Sequence, residues 1–169
     1  MDVLTSLSAT APTLPASYNL FRRIGSLKTD GSFQWIGFIQ DGDTFQWLTS
    51  SPDVAAVNPG LTAVTRTMNT PLGVRVEGIF TVGLLATSTA TAAYISDLSV
   101  TDEVPVVTIP RYAIEVVAAT SAITQLAVGN QRVFTNTLSQ IRSRLAASGA
   151  DLTLYISTRG WIDRRGRDA

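Results

Sequence analysis

The chain predicts an all-β fold, an antiparallel β-sandwich of jelly-roll-like form with an extended N-terminal arm, on three observations. Valine, threonine, serine and alanine abound, while charged residues make up 15% of the 169 positions; that balance suits pleated strands with hydroxyl-bearing outer faces. Apolar residues recur every second position in short runs bounded by Gly, Pro, Asn and Asp, the pattern of half-buried strands. No stretch keeps a helical period through three turns. Short strands at intervals of roughly 8–12 residues are the signature of a sandwich.

The elements follow in order. Residues 1–16 read as the arm: residues 2–7 alternate loosely and are expected to pair with a strand edge. Ala11-Pro12-Thr13-Leu14-Pro15 is held extended, because proline disfavours helix at itself and before itself. Residues 17–163 form the sandwich domain. Tyr18 to Ser26 is a candidate strand. Phe33 to Gln40 and Phe45 to Trp47 make an aromatic hairpin around Asp41-Gly42-Asp43, with apolar residues on both faces, so it must be sandwiched or pressed against another subunit. Val54 to Val57 and Ala63 to Met68 flank the turn Asn58-Pro59-Gly60.

Gly73 to Leu84 alternates most clearly, with Val74, Val76, Phe80, Val82 and Leu84 on one face. Thr91 to Val100, Val106 to Ile109, Ala113 to Ala118 and Ile123 to Val128 follow, with Gly129-Asn130 expected to turn. Gln140 to Ala146 and Leu152 to Ser157 read as a closing hairpin. Val76, Phe80, Leu154 and Ile156 are the expected core. Residues 164–169 are a basic tail, Arg164-Arg165-Gly166-Arg167.

Composition restricts the chemistry. The chain has no histidine and no cysteine, which removes histidine-dependent triads, thiol nucleophiles, thiolate zinc sites and disulfides. The formal net charge of +0 supplies no field to attract nucleic acid or an anionic membrane, so neither is an expected partner. No apolar run reaches the ~20 residues of a membrane-spanning helix, and membrane insertion is not expected. No cofactor, metal or catalytic residue is assigned, and the chain is read as non-enzymatic.

Several groups are candidates for function. Asp41-Gly42-Asp43 lacks the spaced ligand series of a calcium loop and reads as a hairpin turn. Asp97, Asp102 and Glu103 read as solvated loop residues; paired catalytic carboxylates would need a shared groove. Trp35 and Trp47 are candidates for stacking on sugar rings, although aromatics at strand spacing are more often core. If the last strand runs unbulged, Trp161 lies opposite Leu154 and Ile156. Trp161 with Arg164 or Arg165 is then a candidate contact with a neighbouring subunit, the arginine pairing with a carboxylate or a backbone carbonyl. The alternative is a strand end packed beneath the protein's own loops. Val3, Leu4 and Leu14 are the arm's candidate interface residues.

Four stretches carry a resemblance: TSLSATAPTLPASYNLFRRIGSLKTDGS, FIQDGDTFQW, NPGLTAVTRTMNTPLGVRVE and SQIRSRLAASGADLTLYISTRGWIDRRGRDA. In this order, with RRIGS, KTDGS, QDGD and GWIDRRGR together, the chain resembles small β-sandwich virion-associated proteins and modules of tailed bacteriophages and prophages. The resemblance implies a structural component of a tail, fibre, spike, collar or capsid surface, located in the virion after assembly in the host bacterial cytoplasm. Its partners would be other virion proteins and copies of itself; a second reading adds a host-surface glycan, and a remote third a glycan-cleaving enzyme. In such proteins the equivalent of DVLTSLSATAPTLP commonly follows further chain, so a neighbouring chain is expected to complete the sheet if this is not a trimmed domain. The resemblance transfers no catalytic residue.

Overall fold

The computed structural model describes residues 3–50, 52–106, 113–116 and 125–165, with the backbone alone for 113–116 and 125. Among them there is no helix, and ten strands form two antiparallel sheets, so the all-β class stands. The strands are β1 (Phe38–Asp41), β2 (Thr44–Trp47), β3 (Pro52–Val57), β4 (Val64–Thr67), β5 (Glu77–Ala86), β6 (Thr91–Ser96), β7 (Ala113–Val116), β8 (Gln125–Phe134), β9 (Gln140–Leu145) and β10 (Leu152–Ile162). The six-stranded sheet runs β1-β2-β10-β5-β8, with β3 also paired to β10. The four-stranded sheet runs β4-β9-β6-β7.

Alternation explains the main core. Phe80, Val82, Leu84 and Ala86 of β5 and Leu152, Leu154 and Ile156 of β10 meet Ala93 and Ile95 of β6 and Ile141 and Leu145 of β9. Both sheets thus turn one face inward, as the two-residue period requires. The expected core residues Val76, Phe80, Leu154 and Ile156 are all buried. Val76 belongs to a second cluster, with Phe45, Trp47, Val74 and Trp161, against which Ala9, Ile36 and Phe38 pack.

Four expectations need correction. β9 and β10 are not a hairpin: β9 pairs with β4 and β6, whereas β10 pairs with β2, β3 and β5. Residues 146–151 carry the chain from one sheet to the other. Ile141 and Leu145 therefore reach the shared core from the opposite side to Leu152 and Leu154, and alternation reads the same in both arrangements. Gly129-Asn130 does not turn, because β5 pairs with β8 through all ten positions and Thr81 Oγ1 donates to Asn130 Oδ1 at 3.2 Å.

The third correction is that Tyr18 to Ser26 forms no strand; residues 3–7 pair with no strand of their own chain, and their pairing with a neighbouring chain belongs to the proposal below. The fourth is that the hairpin's first strand starts at Phe38. Asp30 draws the preceding chain into a turn, its carbonyl accepting from Phe33 N–H at 3.1 Å and its Oδ1 from Ser32 and Gln34 N–H at 2.8 and 2.9 Å. Phe33 sits there at φ 62°. The Asp41-Gly42-Asp43 turn forms as read, with Gly42 at φ +57°. Most of the expected strand Val106 to Ile109, the residues beyond Val116 in Ala113 to Ala118, and the start of Ile123 to Val128 lie outside the described residues.

Candidate interaction surfaces

Trp161 is not a surface contact. It is completely buried, stacked on Phe45 with ring centres 5.0 Å apart and planes at 8°, and tilted against Trp47 at 4.5 Å. Its indole N–H donates to Ser26 Oγ at 3.1 Å. The cause is a β-bulge. β10 pairs Thr158 with Phe80 and Gly160 with Ile79, which leaves Arg159 as the extra residue. One extra residue exchanges the two faces of everything after it. Trp161 and Asp163 thereby turn inward, and Arg159 is aimed outward.

The bulge depends on Gly160, since a Cβ there would stand 2.0 Å from the Phe45 carbonyl oxygen. A glycine inside an alternating run is the sequence signal that could have revealed it. Trp161 is thus a strand end packed beneath the protein's own N-terminal chain.

Both arginines meet groups of the expected chemistry within the chain. Arg165 donates to the Gly42 carbonyl at 2.6 Å and pairs with Asp43 at 3.3 Å, closing the chain end onto the β1–β2 turn. Arg164 lies 3.9 Å from Glu77. Gly166 and Arg167 of the tail lie outside the described residues. Trp47 is buried, with its indole N–H on the Asn69 carbonyl at 3.0 Å, so it has no face to offer a sugar. Trp35 is exposed, beside an even more open Phe33. Val3 and Leu4 are exposed and Leu14 is half-buried.

Two of the loop carboxylates, Asp97 and Asp102, are occupied by arginines. Asp97 is paired with Arg75, and Asp102 with Arg144 and, at 3.5 Å, with Arg142. Partial burial would raise the Asp97 pKa, but the Ser99 N–H and hydroxyl together with Arg75 outweigh it and hold the carboxyl below the ordinary carboxylate range. These residues knit loops to strands.

Among the described residues two surfaces remain open. The first is the N-terminal segment, where Leu7, Leu20, Ile24, Phe33 and Trp35 are exposed. It is nevertheless held in place. Arg23 donates to the buried carboxylate of Asp163 at 2.7 Å, Ser26 meets Trp161, and Ile36 N–H donates to the Lys28 carbonyl at 3.1 Å. Burial pushes the Lys28 ammonium down, and nearby Asp53 partly offsets that. Asp53 in turn accepts from the Thr158 N–H at 2.9 Å and from its hydroxyl, beside the bulge.

The second is the outer face of the six-stranded sheet. At one end, paired rows bring Val57, Thr153, Leu85 and Leu126 together, and then Ala55, Tyr155, Gly83 and Val128. Towards the bulge the face becomes polar and dips into a concavity of about 510 Å³ lined by Thr44, Gln46, Ile79, Asn130, Gln131, Arg132 and Arg159. The sequence assigns a functional role to none of these seven residues, and reads Asn130 as part of a turn, because their meeting depends on strand order and on the bulge.

The chain matches no protein-family model and no curated protein.

Proposed function

We propose that this protein is a non-enzymatic structural component of a phage particle, a tail, fibre, spike, collar or capsid-decorating element that acts by adhesion between its own copies and to other virion proteins. One observation carries the adhesive part: a chain segment pinned to the domain by buried polar contacts presents Leu20, Phe21, Ile24, Phe33 and Trp35 to the outside. A large exposed apolar patch marks an interaction site, and covering one contributes roughly 25 cal/mol per Å² of apolar surface. Repetition around a symmetric assembly multiplies a modest contact. The virion as the setting rests on the resemblance of the four sequence stretches, and the jelly-roll winding of the two sheets belongs to the same proposal.

Mass spectrometry of purified phage particles, with copy-number estimation, tests this reading. The expected result is the chain in particles at a copy number that fits a rotational symmetry. Its absence from particles, with the protein left in the unassembled fraction, would overturn the reading.

A further inference from the structure

The concavity on the outer face of the six-stranded sheet holds an unusual pair of charges. Among the described arginines, Arg23, Arg75, Arg142, Arg144, Arg164 and Arg165 each meet a carboxylate. Arg66 donates to Ser143 and to the Pro59 carbonyl, and Arg22, exposed on the N-terminal segment, has no partner among the described residues but stands alone there. Arg132 and Arg159 have no hydrogen bond or ion pair among the described residues, and both line this one hollow.

Their placement is built into the sheet. Arg132 of β8 stands across from Ile79 of β5, which stands across from Gly160 of β10, and Arg159 is the bulge residue beside it. Two strand spacings separate the arginines by about 10 Å at the backbone, so both guanidiniums can reach one group lying over Ile79. Bulges commonly re-aim a side chain in this way. Of the nearby acidic residues, Asp53 beside the bulge is occupied by the Thr158 N–H and hydroxyl, and Glu77, one row along the same face, lies 3.9 Å from Arg164.

The remaining lining defines what the group is attached to. On the outer face Gln46 and Asn130 offer amides that both donate and accept, Thr44 offers a hydroxyl and Ile79 an apolar floor, while Gln131, paired with buried Phe80, borders the hollow from the inward-facing row of β8. The Asn130 oxygen is taken by Thr81, which leaves its amide N–H groups for a ligand. A bare inorganic anion would use the guanidiniums and leave these groups idle. The volume falls in the range of about 300–1,000 Å³ typical of small-molecule sites. A carboxylate on a hydroxyl-rich ring uses all of them: the guanidiniums clamp the carboxylate, the amides meet hydroxyls and Ile79 takes the C–H face.

We propose that this concavity binds an acidic saccharide, its carboxylate held between Arg132 and Arg159. The site is independent of the adhesive segment and does not require assembly.

Saturation-transfer NMR and calorimetry on the full chain test it, with the methyl glycosides of glucuronate, galacturonate and N-acetylneuraminate as probes and methyl galactoside as the neutral control. At least one acidic glycoside should bind about tenfold more tightly than the control, a difference of about 1.4 kcal/mol. Its affinity should fall as salt is raised. Arg132→Gln with Arg159→Gln should abolish that preference and leave the melting temperature unchanged. If the double variant does not fold, Arg159→Gln alone, whose residue is exposed and unpaired, should reduce the preference. Binding of none of the acids, equal binding of the neutral sugar, or a preference that survives the arginine substitutions would overturn the proposal.

Discussion

The sandwich and the chain before it treat apolar residues in opposite ways. In the two sheets Phe80, Leu84, Ile141, Leu152 and Leu154 are buried in a core that the sheets fill themselves, while the outer face of the six-stranded sheet is mixed, polar near the bulge and apolar at Val57, Leu126 and Val128. Across residues 17–37 most inward contacts are polar, with Arg23 and Ser26 reaching the buried Asp163 and Trp161 and only Ile36 packing on the second cluster, while Leu20, Ile24, Leu27 and Phe33 face outward. The main core between the sheets is complete with their own residues. The segment is complete only on its inner side, so its outer side is where a partner's surface would contribute most.

The comparison can be broken at its strongest point first. Phe80→Ala, in the main core, should lower unfolding free energy by about 3–5 kcal/mol in urea titration, as removal of a buried phenylalanine usually does. Trp161→Ala should cost a similar ~3–5 kcal/mol, because the second cluster is a true core and not a contact face. A Trp161→Ala protein with unchanged stability and impaired assembly would return Trp161 to the interface role that the bulge denies it.

A smaller effect sharpens the same comparison. Ser26→Ala leaves the buried Trp161 indole N–H without its acceptor and should cost about 1–3 kcal/mol. The loss should come with earlier proteolysis of residues 17–37, since Ser26 is one of the points that hold the segment down. Equal protection of the segment in the variant would show that it is held elsewhere.

The smallest effect is at Asp97. Its carboxyl is held below the ordinary value of 3.8, so the stabilisation from its Ser99 and Arg75 contacts is fully present above that pH and is lost as pH falls through the depressed folded value. Asp97→Asn should flatten that limb of the stability profile by less than about 1 kcal/mol, because the Arg75 partner is well exposed. A variant profile identical to that of the parent would remove Asp97 from the account.

The legible part of the fold was the part set by local alternation. Val76, Phe80, Leu154 and Ile156 could be placed in cores because a strand's two faces are written in its own residues. Pairing was not legible: β9 and β10 carry the same alternation whether they pair with each other or face each other across the sandwich. Nor was the bulge, where one residue between Thr158 and Gly160 decides that Trp161 goes in and Arg159 goes out. The Arg132 and Arg159 pair was hidden for both reasons, being the joint product of strand order and bulge. The exposed segment was half legible, since its apolar residues suited a strand as well as an uncovered surface.

Sedimentation analysis across a concentration series, comparing the full chain with a variant carrying Leu20→Ser, Phe21→Ser, Ile24→Ser and Phe33→Ser, tests the adhesive role of this segment most directly. The account predicts a full chain that self-associates, and a variant that stays monomeric with a melting temperature within a few degrees of the parent's monomeric domain. A full chain that remains monomeric even when mixed with purified virion components, or a variant that assembles as well as the parent, would contradict it.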